Sequence, residues 1–172
     1  CGKDIGTTAG REVYSDGTVT VRAVENSHYQ TVALPKRTYG QDRSYSYRFE
    51  TGNRSIVFTG DTGPSMAVER LARRADILVS EVIDLPAIMK GLRARGAATG
   101  IDQEPLIDHM AKEHLTPENV GRLAAAAGVK HLVLSHFATP PGSEQADKQW
   151  MLAEIRKHYA GPVSFGEDLD VF

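Results

Sequence analysis

Two hydrophobic strands in this sequence lead directly into side chains that can bind a metal ion. The segment SIVFTGDT at residues 55–62 runs into Asp61, and the segment LVLSH at residues 132–136 ends on His136. Carboxylate oxygen and imidazole nitrogen are both ligands of catalytic zinc, which keeps one coordination position open for water. We therefore expect Asp61 and His136 to contribute to one metal site. The alternative for Asp61 is a turn held by an Asx hydrogen bond.

A third candidate ligand is His28, which follows a strand in the segment VENSH at residues 24–28. His28, Asp61 and His136 would come from three separate strand ends, and three such ligands can hold one metal ion but not two. A lone histidine is more often a structural or solvated side chain than a ligand. That is the expectation for His109, His131 and His158.

The elements that must position these side chains are a β-rich first third followed by alternating helices and strands. Strands are expected near residues 11–15, 19–23, 45–49, 55–59, 77–79, 130–134, 162–165 and 169–172. Helices are expected over residues 65–75, 84–113, 117–127 and 145–159, the second broken at Gly96 and Gly100. Buried strands that alternate with helices favour an α/β layered domain. Residues 30–42 are polar and are interpreted as a loop.

Composition limits the kind of protein and its partners. The 172 residues are 41% hydrophobic and 24% charged, which is typical of a soluble globular domain, and we expect a cytoplasmic location. The single cysteine, Cys1, excludes an internal disulfide framework and a cysteine-only zinc site. A net charge of −2 gives no electrostatic argument for nucleic acid or an anionic membrane, although a local basic patch is compatible with it.

Several segments, in order, resemble the metallo-β-lactamase-fold hydrolases, in the branch that contains tRNase Z and arylsulfatase-like enzymes. The resemblance is carried by residues 23–28, 44–49, 55–62, 75–81, 114–121 and 129–137. It implies that residues 1–172 are a single partial domain, the C-terminal half of a four-layer αββα sandwich. In that fold the metals would lie at one edge, between the two sheets.

The resemblance also implies roles for individual residues. His28 would be the third histidine of a first metal site, Asp61 the bridging carboxylate, and His136 the last ligand of a second site. His114 would act as the general acid, with Glu81 holding its imidazole. The alternative for Glu81 and His114 is a buried hydrogen bond that only locks a helix cap.

The family's His-x-His-x-Asp-His motif, which supplies most of the metal ligands, is absent from these 172 residues. The resemblance places it before residue 1, in an N-terminal half. We expect the chain to associate with that half or with another copy of itself, because half a sandwich would expose an apolar face. In the full-length protein two zinc ions are expected as cofactors, with manganese or iron as alternatives.

The function predicted from the resemblance is hydrolysis of an ester-type bond by a metal-bound hydroxide. The bond could be a phosphodiester, a sulfate ester or a lactone. Leu115 replaces the serine of the tRNase Z His-Ser-Thr segment, and the net charge is close to zero. The expected substrate is therefore a small-molecule ester, with nucleic acid disfavoured. The alternatives are a catalytically inactive scaffold and a tRNase Z-like ribonuclease.

Overall fold

The secondary structure is taken from a computed structural model that describes residues 9–31, 37–38, 40–138 and 144–172. The strands are β1 (Ala9–Ser15), β2 (Thr20–Glu25), β3 (Tyr45–Glu50), β4 (Ser55–Phe58), β5 (Ile77–Ile83), β6 (His131–Ala138) and β7 (Val163–Phe165). The helices are α1 (Met66–Ala72), α2 (Leu85–Thr99), α3 (Glu104–Glu113), α4 (Pro117–Ala127) and α5 (Glu144–Arg156). None of the helices within the described residues is long and apolar enough to cross a membrane.

The seven strands form one sheet in which spatial order follows sequence order. Neighbouring strands from β1 to β4 pair antiparallel. β4, β5, β6 and β7 pair parallel, because helices make the connections between them. β2, β4, β5 and β6 therefore run in the same direction. Their carboxyl ends share one edge of the sheet, where the predicted site residues follow.

The hydrophobic core lies between one face of the sheet and the helices α1, α4 and α5. Alternate residues of the central strands point to it, among them Val57, Leu78 and Leu132, all fully buried. Met151 and Ile155 of α5 are equally buried and belong to the same cluster. Period-two alternation in the strands thus separates a helix-covered face from a second, open face.

The open face of the sheet carries apolar side chains that none of the described helices covers. Phe58 is 42% exposed and Phe49 is 38% exposed. Their rings contact each other edge to face, with 5.7 Å between the ring centroids. A groove of about 340 Å³ runs along this face past Ile56 and Val133 to Phe172. Exposed aromatic side chains in a contiguous patch are typical of a surface that packs against another element.

Helix caps fix the two loops that border the predicted site. The Ser65 hydroxyl accepts from the Val68 N–H at the start of α1, and Thr116 does the same for Asn119 at the start of α4. α4 ends at Gly128, whose φ of 64° is left-handed, as expected for a glycine that ends a helix.

Three local predictions are wrong. Gly96 does not break the helix but lies inside α2, where a Cβ would lie 3.0 Å from the Ile101 carbonyl oxygen, a tight contact that glycine avoids. Gly100 does end the helix, with φ of 70°. Residues 169–172 form no strand. β6 continues to Ala138, so His136 lies within the strand rather than at its end. Part of the predicted loop, residues 32–36 and 39, lies outside the described residues.

Candidate metal centre

Asp61 and His136 meet at the carboxyl edge of the sheet, as the sequence predicts. The His136 Nε2 atom lies 3.4 Å from Asp61 Oδ1, and both side chains are partly or largely exposed. Asp61 follows the end of β4 by three residues, whereas His136 is positioned by an irregularity in β6. In the pairing of β5 with β6, Ser80 lies opposite Leu134 and Val82 lies opposite Phe137. Two steps along β5 thus correspond to three along β6, which leaves one extra residue in β6.

This extra residue forms a β-bulge that redirects the His136 side chain. His136 has φ of 51°, in the left-handed region that few residues other than glycine adopt. Bulges bend a strand locally and re-aim side chains, and they are frequent beside functional sites. The backbone irregularity thus brings the imidazole to Asp61 without ending the strand.

Asn26 connects the end of β2 to the end of β4 and orients His28. Its buried amide donates to the Thr59 carbonyl at 3.1 Å and to the Ser46 hydroxyl at 3.3 Å. Its Oδ1 atom accepts from the His28 backbone N–H at 3.2 Å. Asn26 therefore holds the His28 loop at the same edge of the sheet as Asp61.

His28 lies among histidines rather than beside Asp61 and His136. Its ring centroid is 4.9 Å from that of His114 and 5.4 Å from that of His109. His28, His109 and His114 each offer a ligand atom, and these atoms lie within 4.8 Å of one another. Among the described residues this is the one group of three or more such ligands, and neither Asp61 nor His136 belongs to it.

Glu81 and His114 form a buried pair next to Asp61. The His114 Nδ1 atom is 2.7 Å from Glu81 Oε2, and both residues are buried. A carboxylate can only accept, so Nδ1 carries the hydrogen. The other oxygen, Glu81 Oε1, accepts from the Thr62 N–H at 2.6 Å. One carboxylate therefore connects the Asp61 loop to the His114 imidazole.

The environment of His114 favours its protonated form. Burial of the ring by itself would lower the pKa of His114. The hydrogen bond and charge of Glu81 act in the opposite direction, with further contributions from the charges of Asp61 and Glu113. The pKa of His114 is raised above its usual value as a result.

Glu113 and His109 lie in the site although local sequence patterns do not single out Glu113 and favour a structural or solvated role for His109. The two lie four residues apart on α3, and His109 Nδ1 is 3.2 Å from Glu113 Oε2. Neither atom has a hydrogen-bond partner in the described part of the chain. Glu113 is fully buried, and its Oε1 atom accepts from the Thr31 N–H at 2.9 Å and from the Thr31 hydroxyl. The sequence feature that could have indicated both residues is the i, i+4 spacing of a histidine and a glutamate directly before His114.

Imidazole nitrogens and a carboxylate converge on this edge in two groups, the Asp61–His136 pair and the three histidines. Both groups use donor types that suit a transition-metal ion such as zinc. The three histidines could therefore hold a metal ion.

The larger part of the chain matches one protein family. Residues 4–137 match the family described as "Beta-lactamase superfamily domain". Two curated relatives are ribonucleases Z. That of Thermobifida fusca is 35% identical over 66% of this chain and 30% of its own length. That of Mycobacterium tuberculosis is 29% identical over 94% of this chain and 50% of its own length. The chain thus spans less than two thirds of each of these relatives.

Solved structures show the same fold at low sequence identity. The metallo-β-lactamase-fold protein YhfI of Bacillus subtilis superposes with a TM-score of 0.61 at 17% identity, over 96% of this chain and 53% of its own. Human tRNase Z, short form, superposes with a TM-score of 0.54 at 19% identity, over 94% of this chain and 44% of its own.

The expectation of a small-molecule ester substrate, with nucleic acid disfavoured, is wrong, because the matching curated relatives are ribonucleases. The structure shows why both reasons for that expectation fail. Leu115 is 2% exposed and packs in the hydrophobic core, so its identity reports on packing and not on the substrate. A net charge close to zero is compatible with a local surface of strong positive charge. A groove of about 540 Å³ between α1 and the sheet is lined by four arginines and one glutamate, Arg22, Arg48, Arg70, Arg73 and Glu50.

Proposed function

We propose that the protein, which belongs to the beta-lactamase superfamily, is a metal-dependent ribonuclease. Membership of that superfamily confirms the predicted resemblance, and the observed sheet and helices confirm the mixed α/β fold class. The observation that carries the proposal is the buried Glu81–His114 pair beside the Asp61–His136 pair. An imidazole that holds a proton next to metal-ligand side chains suits hydrolysis of a phosphodiester. The ribonuclease Z relatives support RNA as the substrate class.

In this proposal Asp61, His136 and His28 are metal ligands. The carboxylate and the imidazoles fit zinc, and the 3.4 Å approach of His136 to Asp61 brings two of the donors together. When bound, zinc would polarise the phosphoryl group and stabilise the negative charge that develops on it. Two zinc ions would require donors beyond those of this chain, supplied by a longer protein.

His114 is the proposed general acid. Its Nδ1–H is held by Glu81, so Nε2 is the atom that gains and releases the catalytic proton. The raised pKa of His114 favours the protonated ring, which suits transfer of a proton to the leaving oxygen of the cleaved phosphodiester. Glu81 fixes the tautomer and the direction of the ring, and we assign it a positioning role.

The arginine-lined groove is a candidate surface for the RNA backbone. Arginine binds phosphate with two parallel hydrogen bonds, and such contacts give affinity without reading the sequence. Arg48 and Arg22 contact Glu50, whereas Arg70 and Arg73 project from the end of α1 and add positive charge.

The proposal is tested by comparing substrates and variants of the zinc-loaded, full-length protein. We expect cleavage of a tRNA-containing transcript, and weak or no hydrolysis of a chromogenic sulfate ester or lactone. His114→Ala should lower the rate of RNA cleavage by about 10²- to 10⁴-fold, the usual contribution of a general acid. His131→Ala is the matched control, since His131 lies at the opposite end of β6, where it contacts Ser164. No cleavage of the tRNA-containing transcript, or equal cleavage rates for the two variants, would refute the assignment.

A further inference from the structure

His28, His109 and His114 form an imidazole cluster that the proposed function uses only in part. We propose that this cluster is itself a binding site for one divalent transition-metal ion, separate from the Asp61–His136 pair. The three side chains come from the loop after β2 and from the last two turns of α3 with the residue that follows it. Their ligand atoms lie within 4.8 Å of one another.

Two of the rings, those of His28 and His114, form a hydrogen bond through Nδ1, and the Nδ1 atom of His109 faces a carboxylate oxygen. His28 Nδ1 is 3.1 Å from the Glu113 carbonyl oxygen, and His114 Nδ1 is 2.7 Å from Glu81 Oε2. His109 Nδ1 faces Glu113 Oε2 at 3.2 Å. An acceptor at Nδ1 keeps the hydrogen there and leaves the Nε2 lone pair for a metal. Metal-binding histidines almost always have such outer partners.

Glu113 provides a second, independent reason. It is fully buried, and its Oε2 atom has no hydrogen-bond partner among the described residues. A buried carboxylate without a positive partner is costly. A cation held by His109 would polarise that ring toward Glu113 and place positive charge beside the carboxylate. The arrangement matches a metal-binding histidine whose other nitrogen faces a carboxylate.

The donor set determines which ions fit. Three imidazoles suit zinc, cobalt, nickel or copper, whereas magnesium and calcium require oxygen ligands. Three protein ligands leave the fourth position of a tetrahedral ion open. Each Nε2 atom has one lone pair. Occupation of the imidazole cluster is therefore an alternative to participation of His28 in an Asp61–His136 centre, and also to the use of His114 as the general acid.

The inference does not depend on ribonuclease activity and is tested by metal binding to the 172-residue chain. We expect one Co²⁺ per chain, with the intense visible absorption of a tetrahedral site, displaced by Zn²⁺. His109→Ala should weaken Zn²⁺ binding by at least about tenfold, because even loss of an outer partner has an effect of that size. Asp61→Asn and His136→Ala should bind as tightly as the unmodified chain.

Controls keep the result interpretable. His158→Ala removes a histidine near the end of α5 that faces Glu118, and its Zn²⁺ affinity should be unchanged. If His109→Ala does not give the circular dichroism of the parent chain, His109→Gln replaces it. Three results would overturn the inference: no Co²⁺ binding by the parent chain, unchanged affinity in a folded His109 variant, or loss of affinity in Asp61→Asn.

Discussion

Glu81 is the residue on which the local arrangement of the site depends. One oxygen holds the Thr62 N–H of the loop that carries Asp61, and the other holds the His114 ring. A buried carboxylate with partners on both oxygens orients its neighbours more firmly than an exposed ion pair. The sequence suggested the pairing of Glu81 with His114 through a resemblance, and the distance of 2.7 Å agrees with it. Its catalytic role stays a prediction.

We predict that Glu81→Gln lowers the pKa of His114 and destabilises the metal-free chain by about 2 kcal/mol, the usual size for a hydrogen bond to a charged group. The folded-state pKa of His114 is raised, so the pair contributes stability below the unfolded-state pKa of about 6.5, and this contribution disappears as pH rises through the folded-state pKa. The loss on mutation should therefore be larger near pH 6 than above the folded-state pKa. NMR titration and urea unfolding at several pH values measure both effects.

Glu118→Gln is the control for this experiment. Glu118 pairs with Arg122 on the exposed face of α4, where an ion pair contributes little. It should leave the pKa of His114 unchanged. An equal change of the His114 pKa in both variants, or no change in Glu81→Gln, would refute the claim that Glu81 raises this pKa.

At the scale of elements, the site depends on how closely α3 approaches the loop after β4. A Cβ at Gly63 would lie 2.0 Å from the Lys112 carbonyl oxygen, so only glycine permits this contact. Lys112 directly precedes Glu113 and His114, which means that the approach sets the position of both. The backbone of the Asp61 loop and the end of α3 are therefore in direct contact.

We predict that Gly63→Ala destabilises the chain by about 1–3 kcal/mol, the usual cost of overpacking. It should also weaken the proposed metal site, because α3 must move away from the sheet edge. Gly91→Ala in α2 is the matched control, since a Cβ there meets no atom within 4 Å and alanine favours a helix. Urea unfolding of both variants and Zn²⁺ titration measure the difference. Equal stability of the two variants would contradict the close contact.

The elements also show what a sequence can and cannot predict here. The strands expected near residues 45–49 and 55–59 and the helix expected over residues 117–127 follow from local patterns, and the structure has them to within a residue. The bulge at His136 and the continuation of α2 through Gly96 depend on contacts between distant segments, which no local pattern records. The role of His109 could not be predicted for the same reason, because it depends on contact with His28, which is far away in sequence.

At the scale of the whole molecule, helices cover one face of the sheet, and no helix within the described residues covers the other, apolar face. Phe49 and Phe58 lie exposed in the middle of that open face. The chain also spans only 30% and 50% of the two ribonuclease Z relatives. We propose that the open face packs against a second sheet of the same protein, supplied by residues outside this chain. The N-terminal half predicted from the sequence would be that partner.

We predict that Phe58→Asp destabilises the full-length protein by several kcal/mol, because a charge would be buried between two sheets. In the 172-residue chain alone the same change should cost little, since Phe58 is 42% exposed there. Thermal unfolding of both proteins gives the comparison. Equal effects in the long and the short protein would show that no second sheet covers this face.

The most direct test of the proposed function is the rate at which the full-length protein cleaves a tRNA-containing transcript before chelation, after chelation and after zinc is returned. The account predicts that chelation abolishes cleavage, that zinc restores it, and that Asp61→Asn is not restored at the same zinc concentration. Cleavage that continues after chelation, or an Asp61→Asn variant as active as the unmodified protein, would contradict the account.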